Sequence, residues 1–334
     1  MCCLQPVSYA SSNNIGPVVE KEYYKDGKIS IETPYKNSKK NGMQKRYYEN
    51  GNLKEGVNYS KGKKNGITHT YYESGDLQSE SVYYDDKKNG AEKWYYENGK
   101  LKIITPYKND KKSGIERVNY ESGQLKIATS YNNGKIEGVA YMYYESGKLK
   151  LKIPYKNDKK NGVEECYYGN EKLHVEISYK NGKQEGAQKE YYEDGDVKSE
   201  VWFKNDKKEG VEKKYHKNGK LQLEVPYING QIEGVVKIYY DDGVIKKEIP
   251  YKNDKPEGMF NMYYKDKEVE SQVPYIKGQI DGLAKMHYKS GKLQKEILYK
   301  NGRKEGTEKE YYESGKVYHV IEYKGGKRNG LEDF

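Results

Sequence analysis

Short runs of this chain alternate between apolar and polar positions, and the runs recur at a fixed spacing. Leu53, Val57 and Tyr59 share one parity; later copies read Leu101-Ile103-Thr105-Tyr107, Leu173-Val175-Ile177-Tyr179 and Leu221-Leu223-Val225-Tyr227, with mostly Lys, Glu or Gln between them. Period-two alternation over six or seven residues predicts a half-buried strand. A second strand-like stretch, from Gly42 to Tyr48, precedes each run, and Glu49-Asn50-Gly51-Asn52 joins the two. Asn-Gly predicts a two-residue type I′ turn, which would set Tyr48 opposite Leu53 on one face. Other copies carry Ser-Gly or Asp-Gly there. A second turn, as in Lys300-Asn301-Gly302-Arg303, is Asn-Gly or Asn-Asp. The expected fold is all-β: an elongated single-layer antiparallel meander of β-hairpin repeats, 13 repeats of 24 residues, with no helix.

The period is unbroken. Tyr24, Tyr48, Tyr72 and so on to Tyr312 recur every 24 residues, with His216 as the one substitute. Stricter still are Gly42, Gly66, Gly90, Gly114, Gly138, Gly162, Gly186, Gly210, Gly234, Gly258, Gly282, Gly306 and Gly330. A fixed period of this length predicts a stacked array, read here as residues 21–334 continuously. The invariant glycine lands near the Val57-type residue of the preceding strand. Its expected role is structural: an aromatic ring crosses it, or the backbone needs positive φ there. Pro34, Pro106, Pro154, Pro226, Pro250 and Pro274 precede the third tyrosine of a copy. Proline cannot donate to a ladder, so pairing should break or bulge at that slot.

Composition changes the picture in two ways. Charged residues make up 34% of the chain and branched aliphatics are scarce, which alone would suggest disorder. Yet 35 of the 39 tyrosines fall in three repeat slots, so tyrosine is expected to build the core. Cys2, Cys3 and Cys166 form no disulfide framework or zinc spacing, and no apolar run approaches the ~18 residues of a membrane span. Residues 1–20 read as the remnant of a signal peptide plus a linker, with a small-residue cleavage site at Ala10; a meaningless apolar terminus is the alternative. The first reading makes the protein exported (periplasm, cell surface or secreted), the second cytoplasmic.

Tyr-Tyr-Glu-Ser/Asn-Gly-Lys-Leu followed by Tyr-Lys-Asn-Gly-Lys-Lys-x-Gly resembles the bacterial variant of the MORN repeat, over roughly residues 21–334. Departures are few: Glu171 and Lys267 replace a turn glycine, and Asn119, His216, His287 and Phe203 replace tyrosines. The resemblance implies a twisted sheet of hairpins and a non-catalytic role in binding, scaffolding or membrane association. Some members are antitoxin-like and others are exported.

No nucleotide-binding, hydrolase or metalloprotease motif is present, and the five histidines fall in unrelated slots. No catalytic residue, metal or cofactor is assigned. Candidate binding residues are of two kinds. Tyr47, Tyr71, Tyr95, Tyr143, Tyr191 and Tyr239 are expected on the face away from Tyr48, alongside Lys45 and Lys54, where rings could stack on a ligand. Lys39, Lys40, Lys63 and Lys64 belong to loops that carry a net +16 over their thirteen copies, against −4 for the opposite turns equivalent to Lys25–Lys28. The expected partner is a protein or other macromolecule, anionic in character (acidic protein, lipid headgroup or polysaccharide), without sequence-specific nucleic-acid binding. Three roles compete: a scaffold or adhesive surface, an antitoxin-like sequestering protein, and a binder of acidic lipid headgroups.

Overall fold

The computed structural model describes residues 17–329, so Gly330 and residues 1–16 of the segment read as a signal-peptide remnant plus linker (residues 1–20) lie outside the described residues. Every regular element among those residues is a β-strand. The described residues divide into two compact units, one ending at Lys159 and the other beginning at Lys160. In the first, β1 (Val18–Tyr23) pairs antiparallel with β2 (Ile29–Lys36); β2 pairs with the short β3 (Lys39–Lys40) and with β4 (Gly42–Tyr47); β4 pairs with β5 (Leu53–Ser60). The second unit follows the same plan, with Gly162–Tyr167 against Leu173–Lys180 and that strand against Lys183–Tyr191. Each unit is a single-layer antiparallel meander.

The two turns are of different types, and the sequence assigned one wrongly. Lys36 lies opposite Lys39, with Asn37 at φ 52° and Ser38 at φ 57°. That is a two-residue type I′ turn. At the other end of the strands, Gly51 donates its N–H to the Tyr48 carbonyl (2.9 Å), and Tyr48 donates to the Asn52 carbonyl (2.8 Å). Only Gly51, at φ 91°, is left-handed there. The loop therefore has three residues: a type I turn closed by a glycine bulge. Asn-Gly is compatible with both geometries because each ends at positive φ, and Glu171 (φ 69°) and Lys267 (φ 75°) adopt it without glycine.

One register change follows. Tyr47 faces Leu53, Arg46 faces Glu55, and Lys54 is the extra residue of a bulge. Val57 lies opposite Gln44 and Tyr59 opposite Gly42. The uninterrupted face from Tyr48 through Leu53 to Tyr59 is thus not formed.

The proline expectation holds. Register shifts between Val57 and Tyr59, at the slot that Pro34 fills one copy earlier. Asn41 donates its N–H to the Pro34 carbonyl at 2.9 Å. A strand residue's N–H and C=O point to the same neighbour, so proline's missing donor falls at the bulge, where no ladder bond is lost. The glycine that follows has positive φ in all twelve described copies, from 72° to 131°. A Cβ on Gly42 would sit 3.1 Å from Pro34 Cγ. The close neighbour is therefore the proline slot, rather than the Val57-type residue or an aromatic ring.

Burial is shallow, as one layer dictates. The most enclosed apolar side chains include Val57, Ala284 and Ile297, and among the described residues no large side chain is fully buried. Polar groups share the same layer: Thr33, Gln44, Ser81, Glu92, Thr105 and Glu308 are all buried.

Candidate functional site

In most described copies the second tyrosine of the pair is a rung to the next copy. Tyr48 donates its hydroxyl to the Tyr71 carbonyl at 2.8 Å, Tyr72 to Tyr95 at 2.7 Å, and Tyr240 to Tyr263 at 2.8 Å. The Lys54 ammonium lies 5.1 Å above the Tyr48 ring, and Lys102, Lys126 and Lys246 cover their own tyrosines alike. Lys54 thus serves Tyr48 and not Tyr47, because the bulge reorients it. A cation over a ring contributes ~0.5–1 kcal/mol at exposed sites.

The first tyrosines are half-buried, with hydroxyls bound in four of the six candidates. Tyr47 donates to Glu32 (2.9 Å), Tyr95 to Glu80 (3.1 Å), Tyr191 to Glu176 (2.8 Å) and Tyr239 to Glu224 (2.6 Å). Tyr71 stands beside His69 at 6.3 Å, and Tyr143 beside Tyr141 at 6.4 Å. Burial, then the bond to Glu32 or Glu176, pushes the Tyr47 and Tyr191 hydroxyls up to about 12. Tyr215 and Tyr263 are also raised to about 12, for the same reasons with Glu200 and Glu248.

The sign of the resulting pH dependence is fixed. A hydroxyl held protonated in the fold supports stability below its unfolded pKa of ~10, and that support is lost as pH rises through about 12. Melting temperature is expected to fall steeply between those values. A variant with Tyr47, Tyr191, Tyr215 and Tyr263 all changed to Phe should start lower and fall less over that interval. Parallel melting curves for the two proteins would contradict the assignment.

The basic loops lie along one edge of each meander, since every strand runs from one turn type to the other. Backbone bonds hold successive loops in a row: Gly62 donates to the Lys40 carbonyl (2.8 Å), Asp86 to Lys64 (2.9 Å) and Asp110 to Lys88 (2.9 Å). The four candidate lysines divide into two pairs. Lys39 and Lys63 are exposed, and Lys63 reaches Asp85 at 3.4 Å. Lys40 and Lys64 turn inward and are half-buried, with ammonium groups 5.0 and 5.1 Å above the Tyr59 and Tyr83 rings.

That inward slot follows a rule that the strand alternation alone does not reveal. Lys88 pairs with Glu92, Lys112 with Glu116 (2.5 Å), Lys160 with Glu164, Lys208 with Glu212 (2.6 Å) and Lys304 with Glu308 (2.6 Å). Where the lysine is absent, the acid is absent too: Ile136 with Ala140, Ile232 with Val236, Pro256 with Phe260 and Ile280 with Ala284. Gln184 donates to Gln188 at 3.4 Å. Charge is matched by charge and apolar surface by apolar surface, except at Lys40 and Lys64, which are followed by Gln44 and Thr68. The signal is in the sequence, as paired changes four residues apart, but nothing links the two slots until the bulge brings them together.

A family profile described as "MORN repeat variant" matches residues 18–37, 40–61, 64–86, 88–109, 112–133, 136–157, 160–181, 184–205, 208–229, 232–253, 280–301 and 304–324. The copy between residues 254 and 279 is not matched; it departs at Pro256, Phe260 and Lys267, yet its strands Gly258–Tyr263 and Val269–Ile276 pair like the rest. No curated protein matches the chain at a significant level. Similar solved structures include the Tc holotoxin pore of Photorhabdus luminescens with the mutation TccC3-D651A. That match has 14% identity, covers 90% of this chain and 17% of that one, and has a TM-score of 0.19. Another is the TcdB2-TccC3-Cdc42 structure, at 12% identity, 93% and 17% coverage and a TM-score of 0.19. The chain spans less than a fifth of the length of either, and at these scores the likeness bears on neither fold nor function.

Proposed function

The chain belongs to the MORN repeat variant family, and from that premise we propose that it is a non-catalytic binding protein whose basic loop edge holds an acidic partner protein. The observation that supports this reading most directly is the placement of charge. The loops at residues 36–41 and 60–65 each carry net +3, and their Lys36, Lys39, Lys61 and Lys63 side chains are exposed on a single row. The turns on the other edge are net acidic over the chain. Such a one-sided field attracts a polyanion and weakens with salt. The tyrosine slots support the scaffold, since rung and carboxylate bonds already occupy most of their hydroxyls.

The test is affinity capture from native cells with two charge-reversal variants. Reversing Lys36, Lys39, Lys61 and Lys63 is expected to weaken retention at least tenfold, and raising the salt should do the same to the unmodified protein. Reversing Lys28, Lys100, Lys148 and Lys316 on the opposite edge should change little. Equal loss from both sets, or retention indifferent to salt, overturns the proposal. Retention by anionic vesicles, with no captured protein, would transfer the edge to lipid headgroups.

A further inference from the structure

We propose that Lys64 and Thr68 form a receptor for a carboxylate group supplied from outside the chain. Lys64 holds the same posture as Lys88 in the next copy: their ammonium groups lie 5.1 and 5.0 Å above the Tyr83 and Tyr107 rings. Lys88 meets the Glu92 carboxylate, which also accepts a bond from the Ser81 hydroxyl at 3.0 Å. Four residues after Lys64 the chain has Thr68 instead, two carbons shorter than glutamate. The Lys64 ammonium makes no salt bridge among the described residues.

A second observation points the same way. Thr68 is 8% exposed, and its buried hydroxyl has no hydrogen-bond partner among the described residues. An unpaired buried hydroxyl costs roughly 1–3 kcal/mol, and buried polar groups are normally satisfied. The orphaned hydroxyl and the uncompensated ammonium occupy the two slots that elsewhere hold the ends of an ion pair.

The copy before extends the site. Lys40 sits over Tyr59, which lies opposite Lys64, and Lys40 also lacks a salt bridge among the described residues. Its own partner slot holds Gln44, whose amide donates to Thr33 at 2.8 Å. These are the only two described lysines of this slot without a glutamate four residues on. They are also consecutive. An incoming carboxylate would take the place of the missing Glu92 equivalent, accepting from Lys64 and from the Thr68 hydroxyl.

The chemistry fits a small carboxylic acid or the side chain of an acidic partner. The site stands on its own geometry, but the partner as source rests on the basic-edge reading. The test uses the full chain with two probes: acetate, and a hexaglutamate peptide. Lysine side-chain nitrogen shifts report the acetate titration, and fluorescence anisotropy reports the peptide. Acetate should shift Lys64 saturably. Thr68→Glu should abolish that shift, raise the melting temperature by supplying the internal partner, and weaken peptide binding at least tenfold. Lys64→Met should remove peptide binding without the gain in melting temperature. A Lys64 resonance that ignores acetate, or peptide affinity unchanged in Thr68→Glu, overturns the site. Saturable acetate binding with no peptide binding keeps the site and sinks the acidic-partner reading.

Discussion

Gly114→Ala is expected to destabilise its unit by about 3 kcal/mol, whereas Gly210→Asn, at the same repeat slot, should cost about 1 kcal/mol or less. Gly114 has φ 115°, and a Cβ there would lie 3.0 Å from Pro106 Cγ. No L side chain is at ease at that φ, and the proline ring cannot swing away. Gly210 has φ 80° with no atom within 4 Å of the added Cβ. That is close to the left-handed region that asparagine accepts. Urea unfolding of the two variants separates the causes. Equal losses would mean that the slot is invariant for a reason other than local backbone conformation.

The inward ion pairs give the second large effect. Glu212→Ala should cost about 2 kcal/mol, less than the ~3–5 kcal/mol of a deeply buried pair because Lys208 keeps a third of its side-chain surface in water. The double change Lys208→Ile with Glu212→Val should return to within about 1 kcal/mol of the unmodified protein. It copies Ile232 and Val236 of the next repeat, and Val225 already lies opposite Glu212. Denaturation midpoints for the single and double variants measure the difference. A double variant no better than the single one would show that the pair is worth more than its apolar substitute.

Much of this was legible in the sequence, for reasons specific to particular residues. The Leu101-Ile103-Thr105-Tyr107 alternation and the Asn37-Ser38 type of turn encode strand and hairpin locally, and Pro34 marks its own bulge. The Asn50-Gly51 turn misled because two loop geometries share its glycine, and the extra Lys54 that distinguishes them has no distinctive side chain. The missed layer was the link between Lys88 and Glu92. Four residues apart, they look like alternate positions on one strand, and only the bulge at Asn89-Gly90 brings the ends together. The candidate lysines could be chosen by charge but not sorted, since Lys39 points to water and Lys40 to a ring for reasons of register alone.

The most direct check on the account is an amide hydrogen-exchange map of the full chain with and without its captured partner. The loops at residues 36–41 and 60–65 should gain protection on binding, with the turns at 49–52 and 73–76 unchanged. Protection gained at those turns, and not at the loops, would contradict the assignment of the basic edge as the binding surface.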